Sequence, residues 1–458
     1  MQRSLDDLDA LMTNFPDGEL PAAGIPWYVA PFGRDSLITS LQTLCLYPQR
    51  AQETLRVLSS LQGKKIDPFT EEEPGKILHE MRYGGMARTG EIPHHPYFGT
   101  LDATPLFVWL FAETVRWTAD AAFYRELLPA ALAALAWIDE YGDTDADGMV
   151  DYDGRPVSGI RIRHRVWKDS LDSLHHPDGR EPTGAITPVE VQGYVYAAWQ
   201  RLAAVAIVQG DVALAETLKN KAGALRERFE SAFWLEEEQY YAQALADGEP
   251  VRAITSNPGH LLMTGLAGGE HARAVSRRLT QPDMNAGWGV RTLSADALSY
   301  NPMSYHNGSV WPHDNSLIAA GCHAIGEWEA GNGIFTAMVD LAEASDGGRL
   351  NELYCGFGRS SERGAVPVPY PVACSPQAWA AGTLPLLLCS SLGLSVNSSE
   401  RVLDVDPHLP AFLNSVTISG FSVLGSTGSL TIRAAGSGYE VHTEGIPARL
   451  TKRSESDR

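Results

Sequence analysis

The strongest constraint on the fold of this 458-residue chain is a succession of helical patterns arriving in pairs. Apolar residues recur at helical spacing over 37–46 and 51–61, then over 104–117 and 121–141, where LPAALAALAWI keeps one apolar face. The pattern continues over 188–209 with 213–233, 258–266 with 271–279, and 310–325 with 330–344. A last helix, 376–392, has no partner after it, and the amphipathic segment 5–12 can supply one from the other end of the chain. Six helical hairpins result, the number that closes an (α/α)6 barrel, a mostly α double ring of helices. Strand-type alternation follows residue 392, at 402–405, 415–418 and 430–434, with glycine turns between. The expected organisation is a catalytic barrel over 1–395, a small C-terminal β appendage over 396–450 and a polar tail over 451–458.

Charge and composition narrow the partners. The chain is 44% hydrophobic and 20% charged, the balance of an ordinary globular protein. Its 36 basic and 56 acidic residues give a formal charge of −20. A field of that sign repels phosphate backbones, so no nucleic acid partner is expected. No apolar run reads as long enough to span a bilayer, so no membrane partner is expected either. The segment MQRSLDDLDALMT lacks the basic and apolar regions of a secretory signal. The five cysteines, at 45, 322, 355, 374 and 389, are scattered without paired spacing. That argues against a zinc site or a disulfide scaffold and fits a reducing cytoplasm.

Long connections at 62–101, 142–187, 281–309 and 346–375 fall on alternate links between the hairpins. Structureless stretches of that length are uncommon unless functional. In a helical double ring they gather at one end and build a cleft, and nearly every unusual motif of the chain lies on them or at a helix entry. GIPWYVAPFGRDS, 24–36, crowds aromatics, Arg34 and Asp35 around glycines. Arg34 offers a fork of donors and Asp35 accepts from vicinal hydroxyls, although Asp35 and Ser36 also suit a helix cap. His79, Glu80, His94 and His95 raise the question of a metal. Their spacing departs from HExxH, so polar pocket lining is expected, and no metal. DTDADGMVDYDG, 143–154, has acids at the first, third, fifth and ninth places of a calcium loop, but Gly154 stands where the bidentate Glu belongs. A solvated Asp/Gly turn leading into a short strand is the expectation there.

Two segments hold an isolated acid among aromatic and small polar residues, VWKDSLD at 166–172 and LNELYCG at 350–356. Such a pair suits glycoside hydrolysis, in which one carboxyl protonates the leaving oxygen and the other activates water. Taken alone, Asp169 also suits a turn or cap, and Glu352 an ion pair with Arg349. Asp172 is the alternative acid.

The motifs GIPWYVAPFGRDS, GEIPHHPYFGTLDATPLF (90–107), WKDSLDS (167–173), NPMSYHNGSVWPHDN (301–315), NELYCGF (351–357) and CSPQAWAAG (374–382), in that order, resemble the bacterial glycogen-debranching, or amylo-α-1,6-glucosidase-like, family of six-hairpin glycosidases. The resemblance runs over roughly residues 3–392 and implies an (α/α)6 barrel that hydrolyses an α-glucosidic bond with inversion and without cofactor. It implies Asp169 as general acid and Glu352 as general base. It places Trp27, Phe32, Arg34, Asp35, Glu80, Arg82, Asp102, Trp167, Lys168, Asp172, Glu190, His306, Trp311, His313 and Trp379 around an oligosaccharide or small glucoside. Val166 stands where the family has a glycine before the tryptophan of the acid motif. The alternatives are a trehalase-like or glucosylglycerate-type hydrolase of a small α-glucoside, or a non-catalytic carbohydrate-binding protein.

Overall fold

The computed structural model describes residues 1–155, 162–360, 365–436 and 438–451, and it is mostly helical. The paired helices are α1 (Gln2–Leu11), α2 (Gly33–Thr43), α3 (Pro48–Ser60), α4 (Ala103–Thr118), α5 (Ala121–Glu140), α6 (Val189–Gln209), α7 (Val212–Phe233), α8 (His260–Thr264), α9 (Gly269–Leu279), α10 (Pro312–Ala324), α11 (Trp328–Glu343) and α12 (Thr383–Ser391). The even-numbered helices contact one another in a closed cycle, α2 on α4, α4 on α6, and so on through α12 back to α2. The residues explain which helices sit inside. Nearly every residue of α2, α4, α6 and α10 is buried, whereas α3, α5, α7, α9 and α11 bury one face and leave the other polar. A helix apolar all round must be enclosed, and a striped one belongs on the outside.

Chain punctuation agrees with the pairing. Asp120 caps α5 by accepting from the Ala122 and Phe123 N–H groups, Asp211 caps α7, and Gly210 ends α6 in a left-handed conformation at φ 86°. The first and last elements meet, since α1 packs on the short helix Ala378–Ala381 that leads into α12. The Asp7 carboxylate holds Arg349 at 2.7 Å. The expected helix over 258–266 is short, a 3-10 turn at Asn257–Gly259 followed by α8 and stopped by Gly265. Asp35 and Ser36 are not caps, because α2 begins earlier, at Gly33.

Other expectations change. By length and composition α5 could cross a membrane, contrary to the reading that no run is long enough. In the fold its Phe123, Leu127, Leu135 and Ile138 stripe is buried, and α5 packs on α3 and α4. The cysteines are not all unpaired: Cys45, just past α2, is bonded to Cys389 of α12, across 344 residues of sequence. No local spacing records that pair, because ring closure alone brings the two together. The long links are also more ordered than expected. Strands Met12–Phe15, Gly18–Gly24 and Tyr28–Pro31 form one sheet, and Tyr152–Asp153, Ala185–Pro188, Ala244–Ala246 and Glu249–Val251 another. Past α12 two sheets form, one from Leu394–Asn397, Val402–Val405 and Ala448–Leu450, the other from Ser415–Val423, Ser426–Ala435 and Gly438–Glu444. Residues 452–458 of the expected tail lie outside the described residues.

Candidate active site

The N-terminal ends of α2, α10 and the short helix Ala378–Ala381 face one cavity of about 280 Å³. Arg34 and Asp35 come from the first turn of α2, Trp311 from the residue before α10, and Gln377 and Trp379 from the entry to α12. The chain can enter α2 there because residue 33 is glycine. Its N–H reaches the His79 carbonyl at 2.9 Å, and a Cβ at that position would meet the Leu78 oxygen at 2.1 Å. Asp169 and Glu352, 183 residues apart in sequence (352 − 169), both line this cavity.

Arg34 organises one wall. Its guanidinium donates to Asp102 Oδ2 at 3.1 Å and Asp169 Oδ2 at 3.4 Å, and its Nε lies 3.7 Å from Asp35 Oδ2. Three carboxyl groups around one buried cation cannot all be neutralised by it. Burial pushes Asp169 from 3.8 to about 6, Arg34 opposes the rise and Asp102 adds to it. The Asp169 side chain keeps 29% of its surface open to the cleft. Burial raises Asp35 to about 7 against the pull of Arg34, helped by the charges of Glu352, Asp169 and Asp102. Two carboxyls that hold protons near neutrality therefore share a cavity with Glu352.

Glu352 is held differently. Its Oε2 accepts from the Cys374 N–H at 2.7 Å and its Oε1 accepts from the Tyr305 hydroxyl. Burial raises its pKa, and those two hydrogen bonds oppose the rise. The ion pair with Arg349 considered from sequence does not form, since Arg349 is engaged by Asp7. On a further wall, Glu80 sits between His94 Nε2 at 2.9 Å and Arg82 Nε at 2.7 Å. Burial pushes Glu80 up, but the His94 hydrogen bond, nearby His79 and Arg82 bring it down to about 2. Burial and the Arg34 charge bring His79 down to about 3. His95 is exposed and hydrogen-bonds the Arg82 carbonyl at 2.8 Å.

Of the residues expected around the substrate, Phe32, Arg34, Asp35, Glu80, Arg82, Trp167, His306, Trp311 and Trp379 line the cavity. Six do not. Trp27 is 58% exposed, with its indole N–H on the Val372 carbonyl, because it lies at a hairpin turn and its neighbour Tyr28 faces inward instead. Asp102 is buried behind Arg34. Lys168 points away from the side that Trp167 and Asp169 face, donating to Ser256 Oγ and the Thr292 carbonyl. Glu190 lies with it around a separate small void, accepting from Asn257 at 2.9 Å. His313 stacks flat on Trp379 with 3.7 Å between ring centres, as a support beneath the cavity wall. Asp172 is exposed and lies off the cavity that Asp169 and Glu352 share.

Sequence reasoning did not single out Tyr28, Ile162, Tyr305 or Gln377. Tyr28, Tyr305 and Gln377 stand inside the quoted motifs, but nothing in one chain tells an inward aromatic from an outward one beside it. The Asp-rich loop behaves as the expected turn. Asp143 accepts from the Asp147 and Gly148 N–H groups, and Asp151 is engaged by Thr144. Asp143, Asp145 and Asp151 nevertheless bring carboxylate oxygens within 4.8 Å of one another.

Comparison with known proteins agrees with this geometry. A search of curated proteins finds no match. Among solved structures, the GH63 mannosylglycerate hydrolase of Thermus thermophilus with Tris and D-glycerate superposes at a TM-score of 0.62 and 14% identity, covering 84% of this chain and 99% of that one. The same enzyme with glucose gives 0.61 and 16%, covering 85% and 99%. A GH78 rhamnosidase of a Bacillus species gives 0.62 and 15%, covering 93% of this chain but 39% of the rhamnosidase. At such identities these likenesses show a shared fold, that of the six-hairpin glycosidases. The glycogen-debranching family named from the motifs gains no support from them. The family model for the mannosylglycerate hydrolase MGH1-like glycoside hydrolase domain matches residues 34–358, a span that holds both Asp169 and Glu352. The chain belongs to that glycoside hydrolase family.

Proposed function

We propose that the chain is an inverting hydrolase of a small α-glycoside, its cyclic helix packing an (α/α)6 barrel whose open end holds the site. The observation that carries this reading is the convergence of Asp169 and Glu352 on one cavity, where burial raises the Asp169 pKa and donors from Tyr305 and Cys374 oppose the rise that burial gives Glu352. Asp169, raised to about 6, keeps a proton to give to the leaving oxygen. Glu352, fixed by Tyr305 and Cys374, takes a proton from the attacking water on the other face of the sugar. Arg34 and Asp35 bind ring hydroxyls, and Trp311 and Trp379 offer apolar faces to the sugar. A cavity of about 280 Å³ suits one hexose and a short aglycone better than a branched polymer.

That size and the family favour the glucosylglycerate-type alternative over an amylo-α-1,6-glucosidase. The mannosylglycerate hydrolase that shares the fold supports the same aglycone class, a short hydroxy acid, with the hexose either mannose or glucose. The test is a panel of α-1,4, α-1,6 and α,α-1,1 glucosides with glucosyl- and mannosylglycerate, read by released hexose. Hydrolysis of a glycerate glycoside is expected, with the β-hexose as first product by proton NMR before mutarotation. Preference for α-1,6 oligosaccharides sinks the small-substrate reading, and the α-hexose as first product sinks inversion.

A further inference from the structure

The loop carrying Tyr305 supplies a function that the carboxylate pair does not by itself explain. Tyr305 lines the cavity, and its hydroxyl donates to Glu352 Oε1 while Cys374 N–H occupies Oε2. Tyr28, from the hairpin before α2, lines the same cavity. The ring has supports of its own. The Tyr305 carbonyl accepts from Ser309 Oγ at 2.6 Å and from Trp311 Nε1 at 2.9 Å. The ring packs edge-to-face with His306 and Trp311 and tilted on Tyr370, at 4.6, 4.9 and 5.5 Å between ring centres. The hydroxyl is therefore not needed to place the ring, and its one acidic partner is the candidate base.

We propose that Tyr305 is the positioning residue of the base, clamping Glu352 Oε1 so that the carboxylate turns its remaining lone pairs to one spot in the cavity. The proposal rests on the reading of Glu352 as general base. A carboxylate held at each oxygen by a donor has a fixed plane, and a water aligned on it is aligned on the sugar. The same hydrogen bond favours the ionised form of Glu352, which faces other groups on every side. Asp169 and Asp35 are the acids near it, Tyr28 and Tyr370 the phenols, and the Cys374 thiol, pushed up to about 12 by burial, stays neutral beside it. Of these, the Cys374 thiol also favours the ionised form of Glu352, by less than Tyr305 does.

The experiment is Tyr305→Phe in the full chain, with kcat and KM followed against pH and thermal unfolding alongside. A base must be ionised, so activity rises with pH through its pKa. Loss of a hydrogen bond to a charged group should move that ascending limb upward by about 1–2 pH units. At the pH optimum of the variant kcat should fall about 10-fold, short of the roughly 10²–10⁴-fold expected for loss of the base itself, with KM little changed. An unmoved limb, with Glu352→Gln inactive, overturns the role of Tyr305 and leaves the base in place. Glu352→Gln with wild-type turnover overturns the base and the proposal together. Should Tyr305→Phe fail to fold, 3-fluorotyrosine placed at 305 keeps the ring and strengthens the donor. Its limb should then move to lower pH, and a limb that stays or rises overturns the proposal.

Discussion

At the scale of single residues, the site works by giving similar carboxyls different surroundings. Asp169 and Glu352 are both largely buried, but one lies against Asp102 and Arg34 and the other receives two neutral donors. The expected outcome of Asp169→Asn is a loss of about 10²–10⁴-fold in kcat with unchanged melting, since an amide cannot donate the proton. Wild-type activity in that variant would reject Asp169 as acid. The sign of the pH dependence follows from the same residue. An acid must carry its proton, so kcat/KM should decline as pH rises through about 6, and that limb belongs to Asp169. Asp169 and Glu352 were legible as candidates because each stands alone among aromatic and small polar residues, and the fold brings both to one cavity. Their partners were less so. Trp27 and Tyr28, or Lys168 and Asp169, are adjacent in sequence and face opposite ways, and one chain does not say which of each pair turns inward.

At the scale of elements, the long links between hairpins are held by their own side chains. In the segment after α5, Asp143 and Asp151 accept backbone N–H groups from Asp147, Gly148 and Thr144. Exhaustive dialysis against EDTA is expected to leave both activity and melting temperature unchanged. A loss of either that calcium restores would make the converging oxygens of Asp143, Asp145 and Asp151 an ion site. Helix type was readable at this scale from pattern alone. LFVWLFA within α4 is apolar on every side and is enclosed, while α7 carries one stripe and stays outside. Of the strands inside the links, the short one after the Asp/Gly turn was readable and the others were not. Tyr152–Asp153 and Ala244–Ala246 are two or three residues long and owe their order to Ala185–Pro188 lying between them.

For the whole molecule, the critical event is closure of the helix cycle. The Cys45–Cys389 bond joins the end of α2 to α12, the first and last inner helices, and α1 covers the seam from outside. A cross-link over 344 residues restricts the unfolded chain, so Cys389→Ser or full reduction should lower stability by about 2–4 kcal/mol, read by denaturant unfolding. Identical midpoints in oxidised and reduced protein would mean that packing alone closes the ring. The sequence by itself determined the helix pairs and the C-terminal change to strands, and it singled out Asp169 and Glu352 as candidate acids. These are written in contiguous residues, where a period of 3.6 or 2 or a crowded motif needs no distant partner to be seen. Tertiary structure alone decided the disulfide, the side each motif residue faces, the retreat of Lys168, Glu190 and His313 from the cavity, and the phenol on Glu352. Each depends on segments far apart in the chain meeting at the open end or the seam of the ring, and that meeting is fixed by how the helices pack.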